Sequence, residues 1–110
     1  MLMDEYQRQA MRTSIHPRGA CGHHSLAWNA LGLAGEAGEV ADEIKKIVGH
    51  GHALDKDKLA KEIGDVCWYI AALCNDLGIN LSDVAQANID KLWKRYPGGF
   101  SQDASRNRSI

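Results

Sequence analysis

At 110 residues the chain has the length of one compact domain, large enough to enclose a core yet near the size at which association often completes it. Lys and Arg number 13 against 14 Asp and Glu, a net charge of −1, which excludes long-range attraction to nucleic acid polymers or to an anionic membrane; any anionic ligand has to be met locally. Three cysteines without CxxC spacing (Cys21, Cys67, Cys74) suit reduced thiols better than a disulfide framework, and with no leader-like stretch or run of about 18 apolar residues the expectation is a soluble, cytoplasmic protein.

Between Pro17 and Pro97, the two prolines, apolar residues recur at three and four positions, so the fold class expected is all-α. A first helix is predicted over 4–13, beginning at Asp4, and "SIHPRGACGHH" breaks it with Pro17, Gly19 and Gly22. The second and longest runs from a Ser25 N-cap to Val48, where Gly49 and Gly51 stop it. A third starts at Asp55 or Asp57 and ends before Gly78, with a stripe of Leu59, Ile63, Val66, Ile70, Leu73 and Leu77 marked for the core. The fourth follows a Ser82 N-cap and ends before Pro97. Residues 1–100 therefore read as a single all-α domain, and 101–110, "SQDASRNRSI", as a flexible polar tail.

One angular arrangement repeats on three helices when residues are set at about 100° per step. With Glu36 at zero on the second helix, Glu39 falls at about 300° and Glu43 at about 340°, while Leu33, Val40, Ile44 and Ile47 take roughly 20° to 80°. On the third helix Glu62, Asp65 and Tyr69 hold the same offsets beside its apolar stripe, and on the fourth Asn88, Lys91 and Arg95 do so. Packing the stripes together brings the acidic edges into register. Like charges in a partly dehydrated place take up protons or bind a cation, and an all-carboxylate donor set favours Mg²⁺, with Mn²⁺ as the other choice, over zinc. Asn88, Lys91 and Arg95 would then cradle phosphates. Taken singly, each acid pair also reads as an ordinary solvated helix face.

"LGLAGEAGEVADEIKK", "KLAKEIGDVCWYIAAL" and "NIDKLWKRYPGGF" carry a resemblance that covers about residues 26–100. The chain resembles the MazG-like branch of the all-α nucleoside triphosphate pyrophosphohydrolases, whose signature is Glu-x-x-Glu, a spacer, then Glu-x-x-Asp. Here it reads Glu36-Ala-Gly-Glu39, 22 intervening residues, and Glu62-Ile-Gly-Asp65. The resemblance implies a four- to five-helix bundle completed by oligomerisation as a homodimer or homotetramer. It also implies Mg²⁺ held by Glu36, Glu39, Glu62 and Asp65, and hydrolysis of (deoxy)nucleoside triphosphates at the α–β bond to monophosphate and pyrophosphate, a housekeeping task on the nucleotide pool. Lys91 and Arg95 would stabilise the departing pyrophosphate, Asn88 and Tyr69 would hydrogen-bond phosphate or sugar, Lys46 lies on the acidic side, and Trp28 could stack on a base.

Other readings stay open. The substrate could be dUTP or phosphoribosyl-ATP, or the chain could be a non-enzymatic helical interaction module that binds a divalent ion. Gly32, Gly35 and Gly38 let a helix or ligand approach the backbone near Glu36. Cys21, His23 and His24 lie in a loop without a second ligand pair at finger spacing, which argues against zinc.

Overall fold

A computed structural model describes residues 1–20 and 22–108, so Cys21 lies outside the described residues. Five helices follow one another: α1 (Met3–Ala10), α2 (His23–His50), α3 (Lys56–Leu77), α4 (Leu81–Arg95) and α5 (Gln102–Arg106), with a 3₁₀ turn at Met11–Thr13. Among the described residues there is no strand, only an isolated bridge between Pro97 and Gly99, and no helix is long and apolar enough to cross a membrane. The fold is all-α, as the sequence implies.

Local signals account for α3. Asp55 accepts the Lys58 N–H at 3.1 Å at its start, and Gly78, with φ 68°, closes it. Gly51, with φ 70°, closes α2 in the same way. Two expected caps are corrected. Gly22, not Ser25, stands at the N-cap of α2, and the Ser25 hydroxyl instead donates back to the carbonyls of Ala20 and Gly22, tying down the preceding loop. Asn80, not Ser82, precedes α4, and the free N–H groups of α4 are met from another helix: Gln7 Oε1 accepts from Leu81 at 2.7 Å and Asp4 Oδ1 from Ser82 at 3.2 Å. The predicted first helix also tightens into the 3₁₀ turn, where Trp68 Nε1 donates to Ala10 O (3.0 Å) and Thr13 Oγ1 (2.9 Å). In the polar tail, α5 arises from a cap, Ser101 Oγ accepting the Ala104 N–H at 3.0 Å.

The antiparallel α2–α3 hairpin is the framework. The Tyr69 ring lies on Gly32 so closely that a Cβ there would fall 2.1 Å from its Cε1. Four residues up α2 and four down α3, Glu36 shares a hollow with Asp65; seven further along each, Lys58 pairs with Glu43 at 3.0 Å. At the other end Asn29 Nδ2 donates to Asp76 Oδ2 at 2.7 Å, both residues buried.

This seam follows the boundary between acids and apolar stripe, so the expectation that the stripe forms the core needs correction. The buried apolar residues are Ala71, Ala72 and Cys74, whereas Ile63, Ile70 and Leu77 of the α3 stripe and Ile44 of α2 are exposed. Small residues fill the centre because α1, the 3₁₀ turn and α2 all press on the C-terminal half of α3. α4 touches α1 and α3 and leaves Ile89, Leu92 and Trp93 uncovered. The radius of gyration, 16.9 Å, exceeds the roughly 13 Å of a compact chain this long. Its accessible surface, 7769 Å², likewise exceeds the roughly 6,000 Å² of a monomeric protein of this mass.

The glycines separate on this geometry. Gly32→Ala should destabilise the fold by about 1–3 kcal/mol because Tyr69 must move. An added Cβ meets nothing within 4 Å at Gly35 or Gly38, so alanine there should be neutral or stabilise by up to about 1 kcal/mol. Urea unfolding of the three variants checks the order; a stable Gly32→Ala protein would contradict it.

Candidate active site

Midway along the hairpin the seam widens into a hollow of about 340 Å³ lined by Glu36, Asp65, Trp68 and Tyr69, within the range of ligand pockets. Helical spacing sets the other two acids alongside: Glu36 and Glu39 are three apart on α2, Glu62 and Asp65 three apart on α3, and the register fixed at Gly32 and Tyr69 sets the two pairs opposite each other. Glu36 and Glu62 are half-buried in the contact line, while Glu39 and Asp65 stand exposed at its rim.

Glu36 Oε2 and Glu62 Oε2 are fully covered and neither has a hydrogen-bond partner. Burial, then the charges of Glu39, Asp65 and Glu62, push Glu36 above the usual carboxylate range. The cations nearby on the same faces are engaged elsewhere. Lys46 pairs with Asp42 at 3.2 Å and Glu43 at 3.7 Å, which raises its pKa chiefly through the Asp42 hydrogen bond, and Lys58 pairs with Glu43. Among the described residues no three His, Cys, Asp or Glu side chains already stand close enough to grip one metal ion, so the four carboxylates would have to turn inward to share one. Their covered, unpartnered oxygens are the donors a hard cation takes.

The other residues singled out by sequence are more dispersed. Tyr69 lines the hollow, with its ring edge-on to Trp68 at 5.0 Å. Trp28 lies two turns before Glu36 on α2, 49% exposed, its ring against His24 (5.8 Å) and His16 (6.1 Å). Asn88, Lys91 and Arg95 lie along α4, which has no broad contact with α2 and meets α3 only sparsely, and none of them lines the hollow. The Arg95 guanidinium sits 5.8 Å from the Tyr96 ring centre.

Two contributors escape a reading of helix spacing. Trp68 falls outside the acidic edge of α3, yet it lines the hollow while anchoring the 3₁₀ turn. Tyr6 arrives from α1 beside Cys67 and Ile70; burial raises its pKa first, and the charges of Cys67 and Asp65 add to the rise. Trp68 could have been suspected from its position next to Tyr69. Nothing local to α1 signals Tyr6.

Comparison with known proteins identifies the family. The MazG nucleotide pyrophosphohydrolase domain profile matches residues 24–100, which span α2, α3, α4 and all four acids. The Gene 37 protein of Mycobacterium phage L5 is 40% identical over 114 residues, covering 98% of this chain and the whole of that protein. No solved structure matches significantly. With a profile spanning well over half its length and a relative similar from end to end, the chain belongs to the MazG nucleotide pyrophosphohydrolase domain family.

Proposed function

We propose that the protein hydrolyses (deoxy)nucleoside triphosphates between the α and β phosphates, releasing nucleoside monophosphate and pyrophosphate, with a divalent metal ion and in the cytosol. The observation that carries this reading is the two covered carboxylate oxygens of the α2–α3 seam, Glu36 Oε2 and Glu62 Oε2, left without partners, with Glu36 lining an open hollow, in a family of nucleotide pyrophosphohydrolases. Family members generally use divalent metal ions. Glu36, Glu39, Glu62 and Asp65 would hold Mg²⁺, or Mn²⁺, because the donors are all carboxylate oxygens. When bound, the ion neutralises phosphate charge and lowers the pKa of an attacking water.

The side chains do the rest. Glu39, exposed at the rim, is free to take the proton of the attacking water. Tyr69, its ring fixed on Gly32, offers its hydroxyl to phosphate or sugar. Trp28 presents half its surface for a base to stack on. Lys46 reaches a phosphate by exchanging its exposed pairs with Asp42 and Glu43, which are worth little. Asn88, Lys91 and Arg95 cradle the phosphates of a second copy's site, since α4 carries them away from the seam of its own chain. The same association covers Ile44, Ile63 and Ile70 together with Ile89, Leu92 and Trp93, giving a homodimer or homotetramer.

Incubation with a panel of dNTPs and NTPs, dUTP and phosphoribosyl-ATP should yield monophosphate and pyrophosphate in the presence of Mg²⁺ and nothing in EDTA. Glu36→Ala and Glu62→Ala should lower kcat/KM at least about 100-fold. Diphosphate plus orthophosphate as products, or full activity in either variant, would refute the reaction.

The metal assignment has a separate readout in stability. The raised pKa of Glu36 means that its contribution to folding is fully present below the ordinary Glu range and is lost as pH rises through its raised value. Metal-free wild type should therefore lose stability relative to Glu36→Gln on going from acid to neutral pH, and Mg²⁺ should raise the Tm of the wild type more than that of the variant. A wild-type Tm indifferent to divalent ions would remove the metal from this site.

Shared sites are tested by mixing. Sedimentation should show no predominant 12.1 kDa monomer at micromolar concentration. Co-refolding inactive Glu36→Ala with inactive Lys91→Ala/Arg95→Ala should restore activity, because some sites then combine intact acids with an intact α4. No recovery in a confirmed hetero-oligomer would assign α4 to its own chain.

A further inference from the structure

A second hollow, of about 510 Å³, opens where α1, the loop before α2 and the α3–α4 corner meet. Arg8, Arg18, Asn75 and Asn80 line it beside Asp4 and Gln7. It is remote from the acids: Asn75 lies ten residues beyond Asp65, about 15 Å along α3.

Most of its polar groups already have partners, and those partners fix the frame. Gln7 holds Ile79 O at 2.9 Å and the Leu81 N–H, and Asp4 Oδ1 faces the Ser82 N–H. Asn75 is buried; its Nδ2 donates to His16 O at 3.3 Å and its carbonyl accepts the Gly19 N–H at 2.7 Å, so the loop on either side of Arg18 is pinned to α3. The two guanidiniums remain. Arg18 donates to Asn80 Oδ1 at 2.8 Å, a neutral amide, and among the described residues neither Arg18 nor Arg8 is ion-paired. Arg18 is near enough to the buried Cys74 thiol to oppose the rise that burial imposes on its pKa. The N-terminus of α4 adds no open donor at Leu81 or Ser82, because α1 already satisfies both.

Two guanidiniums without ion pairs line one hollow, the Asp4 carboxylate beside them being held by the Ser82 N–H, and each can donate two parallel hydrogen bonds to the oxygens of a phosphate. We propose that this hollow binds a phosphate group, free or carried by a nucleoside monophosphate, between Arg8 and Arg18. Its occupant bridges α1, the loop and the corner from which α4 departs. Among the described residues the main packing partners of α4 are α1 and α3, so an occupant that bridges α1 and the α3–α4 corner bears on the direction in which α4 projects. Binding stands independently of the proposed catalysis; its effect on α4 would reach the substrate site only if that reading holds.

The test uses the full chain in EDTA at constant ionic strength, titrated calorimetrically with inorganic phosphate, then with AMP, and with chloride as control. Saturable phosphate binding is expected in wild type and equally in Glu36→Gln. Arg8→Gln and Arg18→Gln, both exposed positions, should each weaken it at least about tenfold. Competition by AMP would assign the site to a nucleotide phosphate, and phosphate binding that AMP does not displace would assign it to the free anion. Absence of saturation, unchanged affinity in the Arg8→Gln/Arg18→Gln protein, or loss of binding in Glu36→Gln would overturn the proposal.

Discussion

A tyrosine ring lying on a bare Cα governs how the two long helices meet. Because position 32 carries no Cβ, the Tyr69 ring fills the volume a side chain would need, and α2 and α3 run alongside each other from Asn29 and Asp76 to Glu43 and Lys58. Shifting either helix by one residue would turn every facing pair by about 100° and separate Glu36 from Asp65. The register is thus a steric matter settled at one glycine. The electrostatics of the acids follow from it.

The seam is an unusual place to find stability. At one end Asp76 is fully buried with one oxygen on Asn29 and the other without a partner; at the opposite end Lys58 and Lys46 attend Glu43; between them Glu36 and Glu62 each have a covered oxygen without a partner, and the charges that act on Glu36 are those of other carboxylates. Burying such groups unpaired is unfavourable. What offsets it is modest: small residues at the centre of the fold, and the Trp68 indole held by the 3₁₀ turn. The larger apolar side chains lie outside. The cation and second copy proposed above would respectively neutralise the half-buried Glu36 and Glu62 and cover the exposed Ile44, Ile63 and Ile70.

Much of this was legible in the sequence for a physical reason: helical periodicity is a local property, and so are the caps at Asp55, Gly51 and Gly78. The offset of acid and apolar edges, read from spacing, matches the boundary along which α2 and α3 actually touch. Illegible were the places where the partner is remote. Ser82 looks like a cap because its type suits one, yet Gln7 and Asp4, more than 70 positions away, already hold the α4 N–H groups. The α3 stripe looks like core because its residues are apolar, but burial depends on what arrives from elsewhere, and α4 meets α3 only sparsely. The acid quartet and its family were readable; Trp68, Tyr6 and the distance of Asn88, Lys91 and Arg95 from the acids were not.

α1 ties these threads together. It precedes residues 24–100, the part that matches the family profile, yet it caps α4 through Gln7 and Asp4, supplies the carbonyl that anchors Trp68, and brings Tyr6 beside Cys67 and Ile70. The match to the phage relative covers 98% of the chain, so it reaches beyond the part matched by the family profile. A helix of eight residues has little stability of its own. Its position comes from Gln7, which is buried and hydrogen-bonds both Ile79 and Leu81 on either side of the α3–α4 corner, so the same amide that orders α1 also orients α4. The acidic seam is built by α2 and α3 alone. The placement of α4 relative to it is set by a short helix outside the matched region.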